Sequence, residues 1–221
     1  MKIDVLTLFP NMFTGFINEY IIKRAIEKNI VEINIHNIRD YSKDPHKKVD
    51  DYGFGGGAGM VLMPGPIFDA VESLRKENTK VLLMTPQGIQ YNQKCAYELC
   101  NETHLIIICG HYEGFDERIR SIVDIEVSIG DFVLTGGEIP AMAISDSILR
   151  LIAGVITKES IEFESFSENL LDYPVYTKPR VFMDMEVPEV LLSGDHKKIA
   201  DWRRQEQIKK TENRRSDLLE K

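Results

Sequence analysis

Two short apolar runs constrain this chain more than any other feature. They are KVLLMT at Lys80–Thr85 and HLIIIC at His104–Cys109. Each reads as a strand. Each stops at a glycine-bearing turn, Pro86-Gln87-Gly88 after the first and Gly110 after the second. Further strands are predicted at Lys2–Phe9, at the alternating Val31, Ile33 and Ile35, and at Ile125–Ile129. Helical stretches fall between them. One opens at Pro10-Asn11 and carries Phe13, Phe16, Ile17, Tyr20, Ile21 and Ala25 on one face. Others span Pro66–Lys76, Asn92–Cys100, Phe115–Val123 and Pro140–Ala153. Strands alternating with helices through residue 154 imply an α/β domain with a mostly parallel sheet.

The chain has 221 residues, enough for one large domain or for one domain with a small appendage. A hydrophobic share of 43% supports a proper core. Cys95, Cys100 and Cys109 match neither a disulfide scaffold nor a CxxC zinc pair, so a reduced, cytoplasmic protein is predicted. The N-terminal MKIDVLTLFPNMF reads as a first strand rather than a leader, and no run is long enough for a membrane span. Residues 157–180 are rich in Glu, Ser, Tyr and Pro with little periodicity, which predicts a linker. A last helix is predicted from Ser193, with Asp195 as N-cap.

Several strands run into glycine turns: Pro86-Gln87-Gly88, Gly110 to Gly114, Ile129-Gly130-Asp131 and Thr135-Gly136-Gly137. Any one of them reads equally well as an ordinary turn. Four flanking one sheet point to a shared ligand cleft at the strand carboxyl ends. That cleft is not a conventional dinucleotide site, because the first strand ends in Leu8-Phe9-Pro10-Asn11 without glycine. Gly53 to Ala58 fits G-x-G-x-x-A but follows a polar loop, and no P-loop is present. The run His111 to Arg118 sets ionisable groups beside a strand end. It is either a salt-bridged helix start or a polar rim on the cleft.

The chain resembles the bacterial tRNA (guanine-N1)-methyltransferases that act on guanosine 37, beside the anticodon. The resemblance runs almost end to end. It rests on LTLFPNMF (Leu6–Phe13), GGGAGMVLMP (Gly55–Pro64), TPQG (Thr85–Gly88) and GHYEGFDER (Gly110–Arg118). It continues through SIGDFVLTGGEIPAM (Ser128–Met142), VPEVLLSGDH (Val187–His196), WRRQ and RRSDLLE. It implies a SPOUT-type α/β fold with a trefoil knot, S-adenosylmethionine as methyl donor, a requirement for Mg²⁺ and a homodimer. The implied division is a catalytic domain over 1–156, a linker over 157–180 and a small helical tRNA-binding domain over 181–221. The implied cofactor cleft comprises Leu83, Met84, Thr85, Pro86, Gly88, Gly110, Tyr112, Ser128, Ile129, Gly130, Asp131, Phe132, Val133, Leu134, Gly136, Gly137 and Pro140. Glu113 is implied to lie beside cofactor and target base, and Gly59 and Met60 in the loop that holds the guanine. No residue is marked as a metal ligand.

Guanine N1 carries a proton at neutral pH, so its methylation calls for a general base near N1 and a donor near O6. The resemblance assigns the donor to Arg150 and the base to Glu164. The family has aspartate in the corresponding Asp-Ser-Phe motif. Asp172 and Glu113 are the reserve carboxylates. Other departures are His111 for arginine, Ala58 for proline, Val175 for histidine and Lys178 for arginine. The lysine keeps a point charge for phosphate but loses the bidentate fork. The alternative reading is a non-catalytic or differently targeted RNA-binding dimer of the same fold.

Charge is unevenly spread. The net charge is −8, yet residues 195–221 hold 9 Lys+Arg against 6 Asp+Glu. Arg203, Lys210 and Arg214 fall close to one helical face. Together with Lys178 they are the predicted tRNA contacts, which should be salt-sensitive.

Overall fold

The computed structural model describes residues 1–162 and 164–219. Phe163, Glu220 and Lys221 lie outside the described residues, so the final Glu of RRSDLLE does too. The chain forms two compact units, Met1–Ile156 and Thr157–Lys221.

The first unit is a five-stranded, wholly parallel sheet flanked by helices. Its elements in chain order are β1 (Lys2–Thr7), α1 (Thr14–Asn18), α2 (Tyr20–Glu27), β2 (Glu32–Asn37), β3 (Asp50–Asp51), β4 (Val61–Leu62) and α3 (Pro64–Leu74). They continue as β5 (Thr79–Gln90), α4 (Gln93–Leu99), β6 (His104–Cys109), β7 (Ile125–Ser128) and α5 (Glu138–Leu149). The main sheet has the order β2-β1-β6-β5-β7, while β3 and β4 form a separate antiparallel pair. The second unit holds α6 (Lys158–Glu162), the hairpin β8 (Val181–Phe182) and β9 (Met185–Glu186), and α7 (His196–Arg214). The Asp195 side chain accepts from Lys198 N at 3.1 Å, the N-cap expected from sequence.

The central strands are buried on both faces because side chains alternate across the sheet. Ile3, Val5, Leu82, Met84, Leu105 and Ile107 point to one face and pack with Ala141, Ile144 and Ile148 of α5 and with Ile22 and Ala25 of α2. Leu6, Val81, Leu83, Ile106 and Ile108 point to the other, against Ile67, Ala70 and Val71 of α3. Each fully buried aliphatic side chain contributes about 1.5–3 kcal/mol of transfer free energy.

Three expected elements differ. The helix expected from Pro10 onward is broken into a 3₁₀ turn, α1 and α2, with Glu19 extended and Tyr20 at φ +51°. Asn18 Nδ2 donates to the Thr14 carbonyl at 2.9 Å. The strand expected at 80–85 extends to Gln90, but with a register shift between Met84 and Ile89. The segment 115–123 is a 3₁₀ helix over Glu117–Ile122 rather than an α-helix.

The opposite end of the sheet from the glycine turns is tied by one buried carboxylate. Asp4, on β1, is fully buried. Its Oδ1 accepts from Asn34 Nδ2 at 2.9 Å and pairs with His36 Nε2 at 3.0 Å. Its Oδ2 pairs with His104 Nε2 at 2.7 Å and with Lys2 Nζ at 3.0 Å. Thr79 Oγ1 joins His104 Nδ1 at 2.7 Å, extending the network to β5. Burial alone pushes the Asp4 carboxyl upward. The hydrogen bonds from His36, Asn34, Lys2 and His104 outweigh it and hold the group well below the ordinary carboxylate range. A depressed folded pKa means stability that is complete above the unfolded value and lost as pH falls below about 4. Asp4→Ala strands four donors around a vacated site and is expected to destabilise by about 3–5 kcal/mol at pH 7. In urea titrations the gap between variant and native protein should narrow as pH drops through 4. A gap independent of pH would exclude the ionised carboxylate as its origin.

Candidate active site

The carboxyl ends of β5, β6 and β7 open into one cavity of about 410 Å³. Three chain segments wall it: Met84–Gln87 leaving β5, Gly110–Phe115 leaving β6, and Val127–Gly137 leaving β7. The register shift in β5 creates the first wall. The strand leaves its ladder after Met84 and rejoins β7 where Ile89 faces Val127. The four residues Thr85–Gly88 therefore bow out of the sheet, as a bulge does.

Backbone contacts hold the walls together. Gly137 N donates to Gly110 O at 2.8 Å, and His111 pairs with Gly136 in an isolated bridge. A Cβ on Gly137 would stand 2.7 Å from Gly110 N and 2.8 Å from Cys109 Cα, both backbone atoms. Only glycine lets the two segments approach this closely. Glu138 follows at the start of α5. Although almost fully buried, it accepts from Thr7 Oγ1 at 2.7 Å. That bond fastens α5 to the end of β1, with a carboxylate at the helix N-terminus where the dipole favours it. Burial pushes the Cys109 thiol well up, and Glu138 adds to the effect, so this cysteine stays a protonated core residue. Within the third wall, Ser128 Oγ donates to Gly130 O at 3.0 Å and accepts from Gly130 N at 3.2 Å.

At the cavity mouth the Gly59–Leu62 segment runs beside Glu113–Asp116. Glu113 N donates to Met60 O at 3.1 Å, Leu62 N to Gly114 O at 3.0 Å and Asp116 N to Leu62 O at 3.0 Å. Gly59, at φ +75°, lies against Glu113, and a Cβ there would come within 2.6 Å of Glu113 Cγ. Tyr112 adopts φ +59°, and its ring meets the His111 ring edge-on at 4.9 Å. Among the described residues, the buried His111 Nδ1 has no hydrogen-bond partner. The Asp116 carboxyl is held low by its hydrogen bond from Arg118.

Most of the predicted cleft residues come together here: Met84, Thr85, Pro86, Gly110, Tyr112, Glu113, Ser128, Ile129, Gly130, Phe132, Val133, Leu134, Gly136, Gly137 and Pro140. Leu83, Gly88 and Asp131 do not line the cavity. Leu83 faces the core on the α3 side, and Gly88 is pressed onto the β7 backbone, 2.3 Å from Val127 N for an added Cβ. The cavity also includes Gln87 and Glu117, which fall in the glycine turn and the polar run read from sequence, and Arg120, which that reading did not single out. Arg120 donates to Glu117 Oε2 at 2.9 Å, and its guanidinium also engages Glu126 and Gln87. It therefore ties the bowed β5 segment to β7. An arginine three residues after a glutamate was a readable helical pair, but its partners on other strands were not. Arg150 caps the C-terminus of α5 and is half-buried.

The remaining candidates belong to the second unit. Glu164 and Asp172 are half-buried at either end of one loop, and Asp172 N donates to Ser165 Oγ at 3.0 Å. The Arg203 guanidinium stacks over the Tyr173 ring at 4.7 Å. Lys178 and Arg214 are exposed, and Lys210 is half-buried. Among the described residues, no group of three or more His, Cys, Asp or Glu side chains is arranged to hold a metal.

Gly137→Ala should force the cavity walls apart at a backbone contact. The expected cost is about 1–3 kcal/mol, as for other overpacked sites. Thermal unfolding measures it directly; an unchanged melting temperature would show that the two segments separate freely.

The family model described as tRNA (Guanine-1)-methyltransferase TrmD matches residues 1–221. A tRNA (guanine-N(1)-)-methyltransferase of Dictyoglomus turgidum is 54% identical over 222 residues, covering 100% of this chain and 91% of that relative. Proteins of the same name from Bacillus cereus and Bacillus anthracis are 56% identical over 225 residues, covering 100% of this chain and 92% of each relative. With a cavity at the strand ends, a match from the first residue to the last and relatives above half identity, the chain belongs to the tRNA (guanine-1)-methyltransferase family.

Proposed function

We propose that this protein transfers a methyl group from S-adenosylmethionine to N1 of guanosine 37 in tRNA. The observation that carries the reading is the cavity at the ends of β5, β6 and β7, with Glu113 and the Gly59–Met60 loop joined at its mouth. Its volume of about 410 Å³ lies in the range of small-ligand sites. Its walls include Gly110, Gly114, Gly130, Gly136 and Gly137, whose main chain a ligand can approach closely, which suits hydrogen bonding to an adenine edge and a ribose. The apolar Met84, Ile129 and Leu134 suit the flat face of a base. These residues fit the cofactor, and Tyr112, Ser128 and Gly130 would hold it.

When bound, S-adenosylmethionine supplies an electrophilic methyl on a sulfonium. The chain's own residues make N1 able to accept it. Glu164 takes the N1 proton as general base, releasing the nitrogen lone pair. Arg150 donates to O6, where negative charge gathers as the proton leaves. The lone pair so released on N1 would be free to take the methyl that the cofactor carries. Glu113 lines the cofactor side of the target base, and Gly59 and Met60 hold its plane. Asp172 is the reserve carboxylate on the Glu164 loop. Mg²⁺ belongs to the reading as a requirement of the reaction, with no site assigned.

Residues 1–156 are the catalytic domain, 157–180 the linker and 181–221 the tRNA-binding domain of this reading. The trefoil knot belongs to it as well. The bridge from His111 to Gly136 and the bond from Gly137 N to Gly110 O support a chain segment threaded against the 110–114 loop. A cytoplasmic homodimer is part of the same proposal. The exposed Ile89, Val133 and Ile139 support a partner surface on the first unit. Among the described residues no helix is long and apolar enough to cross a membrane.

Two experiments test this reading. Glu164→Gln and Arg150→Ala should each lower the single-turnover rate on an unmodified transcript by about a hundredfold. A transcript with adenosine in place of guanosine 37 should take no methyl group. Full rate in Glu164→Gln would move the base to another carboxylate, and methylation of the adenosine transcript would reject the target. Separately, tRNA affinity should fall steeply with salt. Lys210→Gln or Arg214→Gln should each reduce the log–log salt slope by about 0.7–0.9. An unchanged slope in both would take α7 out of the phosphate-binding surface.

A further inference from the structure

The loop that carries Glu164 and Asp172 is folded onto α7 by a buried hydroxyl. Thr211, in the last turns of α7, is fully buried. Its Oγ1 donates to Gln207 O at 2.7 Å, and it accepts from Leu171 N at 2.9 Å. That second bond is the loop's buried polar attachment to the helix. The rest of the loop is closed upon itself. Asp172 N donates to Ser165 Oγ at 3.0 Å, and Phe166 N to Leu170 O at 2.7 Å. Ser167 Oγ donates to Glu164 O at 2.8 Å, which fixes the main chain of Glu164 itself. Phe166 and Asn169 hold the tight turn at φ +74° and +57°. Leu170 is buried beside Thr211, and an exposed pair from Arg204 to Glu168 at 2.7 Å closes the outer side.

We infer that Thr211 is a positioning residue for the catalytic carboxylate loop, and that α7 thereby joins RNA binding to placement of the base. The inference rests on the reading of Glu164 as that base. The physical argument is reach. A carboxylate on a loop acts as a general base only if the loop's main chain is held to a fraction of an ångström. The loop is short, and its internal bonds make it rigid. The bond from Leu171 N to the helix hydroxyl then sets the register of that unit on α7, with the Arg204–Glu168 pair and Arg215 over the Phe166 ring as its outer contacts. Thr211 meets that need because it is buried, its proton is committed to Gln207 O, and a lone pair is left for Leu171. The face of α7 around it carries Arg203, Lys210 and Arg214. Phosphates gripped there would set the helix, and the helix would set the loop.

The test uses the full chain, S-adenosylmethionine and an unmodified transcript with guanosine 37, in single turnover at varied tRNA concentration. Thr211→Val keeps the shape and removes the acceptor. It is expected to lower the maximal rate by about ten- to a hundredfold, with half-saturating tRNA within about threefold of native. Thr211→Ser restores both bonds and should return the rate to within about threefold. Thr211→Cys, with a weak acceptor, should fall between. In a Glu164→Gln background Thr211→Val should cost nothing further, since the two act through one group. A native maximal rate in folded Thr211→Val, or a loss confined to tRNA affinity, overturns the positioning role. If the valine variant does not fold, the serine–cysteine pair decides: equal native rates overturn it. A native rate in Glu164→Gln is a different result, and it removes the base assignment on which the inference stands.

Discussion

A parallel sheet covered on both faces leaves its strands only one place to do chemistry, their ends. In this protein the middle stretches of β1, β6 and β5 are packed with apolar side chains on both faces, while Asp4, Thr7, Thr79 and His104 are the buried polar residues toward their ends. Their backbone groups are spent on ladder bonds. Polar groups therefore gather at the two rims. The rim at the amino ends is closed by Asp4 and its four donors, which tie β1, β2 and β6 together. The rim at the carboxyl ends is left open, where Gly110, Gly114, Gly130, Gly136 and Gly137 bring no side chains to fill it. The cavity is thus the complement of the core.

Closure of the far end determines how well the open end is defined. With the strands fixed in register, the bulge in β5 and the tight crossing of Gly137 over Gly110 become rigid features. A main-chain wall suits this kind of site. It offers donors and acceptors at fixed positions and loses little side-chain entropy when a ligand binds. Arg120 extends the same logic sideways by joining Glu126 of β7 to Gln87 of the bowed segment.

The second unit solves a different problem. It has few large buried apolar side chains, so polar contacts carry more of its local order. The Glu164–Asp172 loop is held by hydroxyls and main-chain bonds, with Leu170 as its one deeply buried anchor. An arrangement of that kind is specific in geometry yet modest in stability. Such a balance suits the role proposed for this segment, placing a carboxylate beside a bound RNA base.

The sequence by itself determined the strand runs, the helix N-cap at Asp195, the glycine turns and the uneven charge. Each of these is local, written in the spacing and chemistry of neighbouring residues. Its ordered motifs also carried the family, because eight of them in the same order outweigh any single pattern. The break after Asn18 is a backbone feature, an extended Glu19 followed by Tyr20 at φ +51°, which apolar periodicity does not register. Only the tertiary structure decided that Gly137 must touch Gly110, that Gly59 lies against Glu113, and that Arg120 spans two strands. It alone brought Thr211 under Leu171, forty residues away along the chain. These are contacts between distant segments, and no local pattern encodes which segments the packing of the core will bring together.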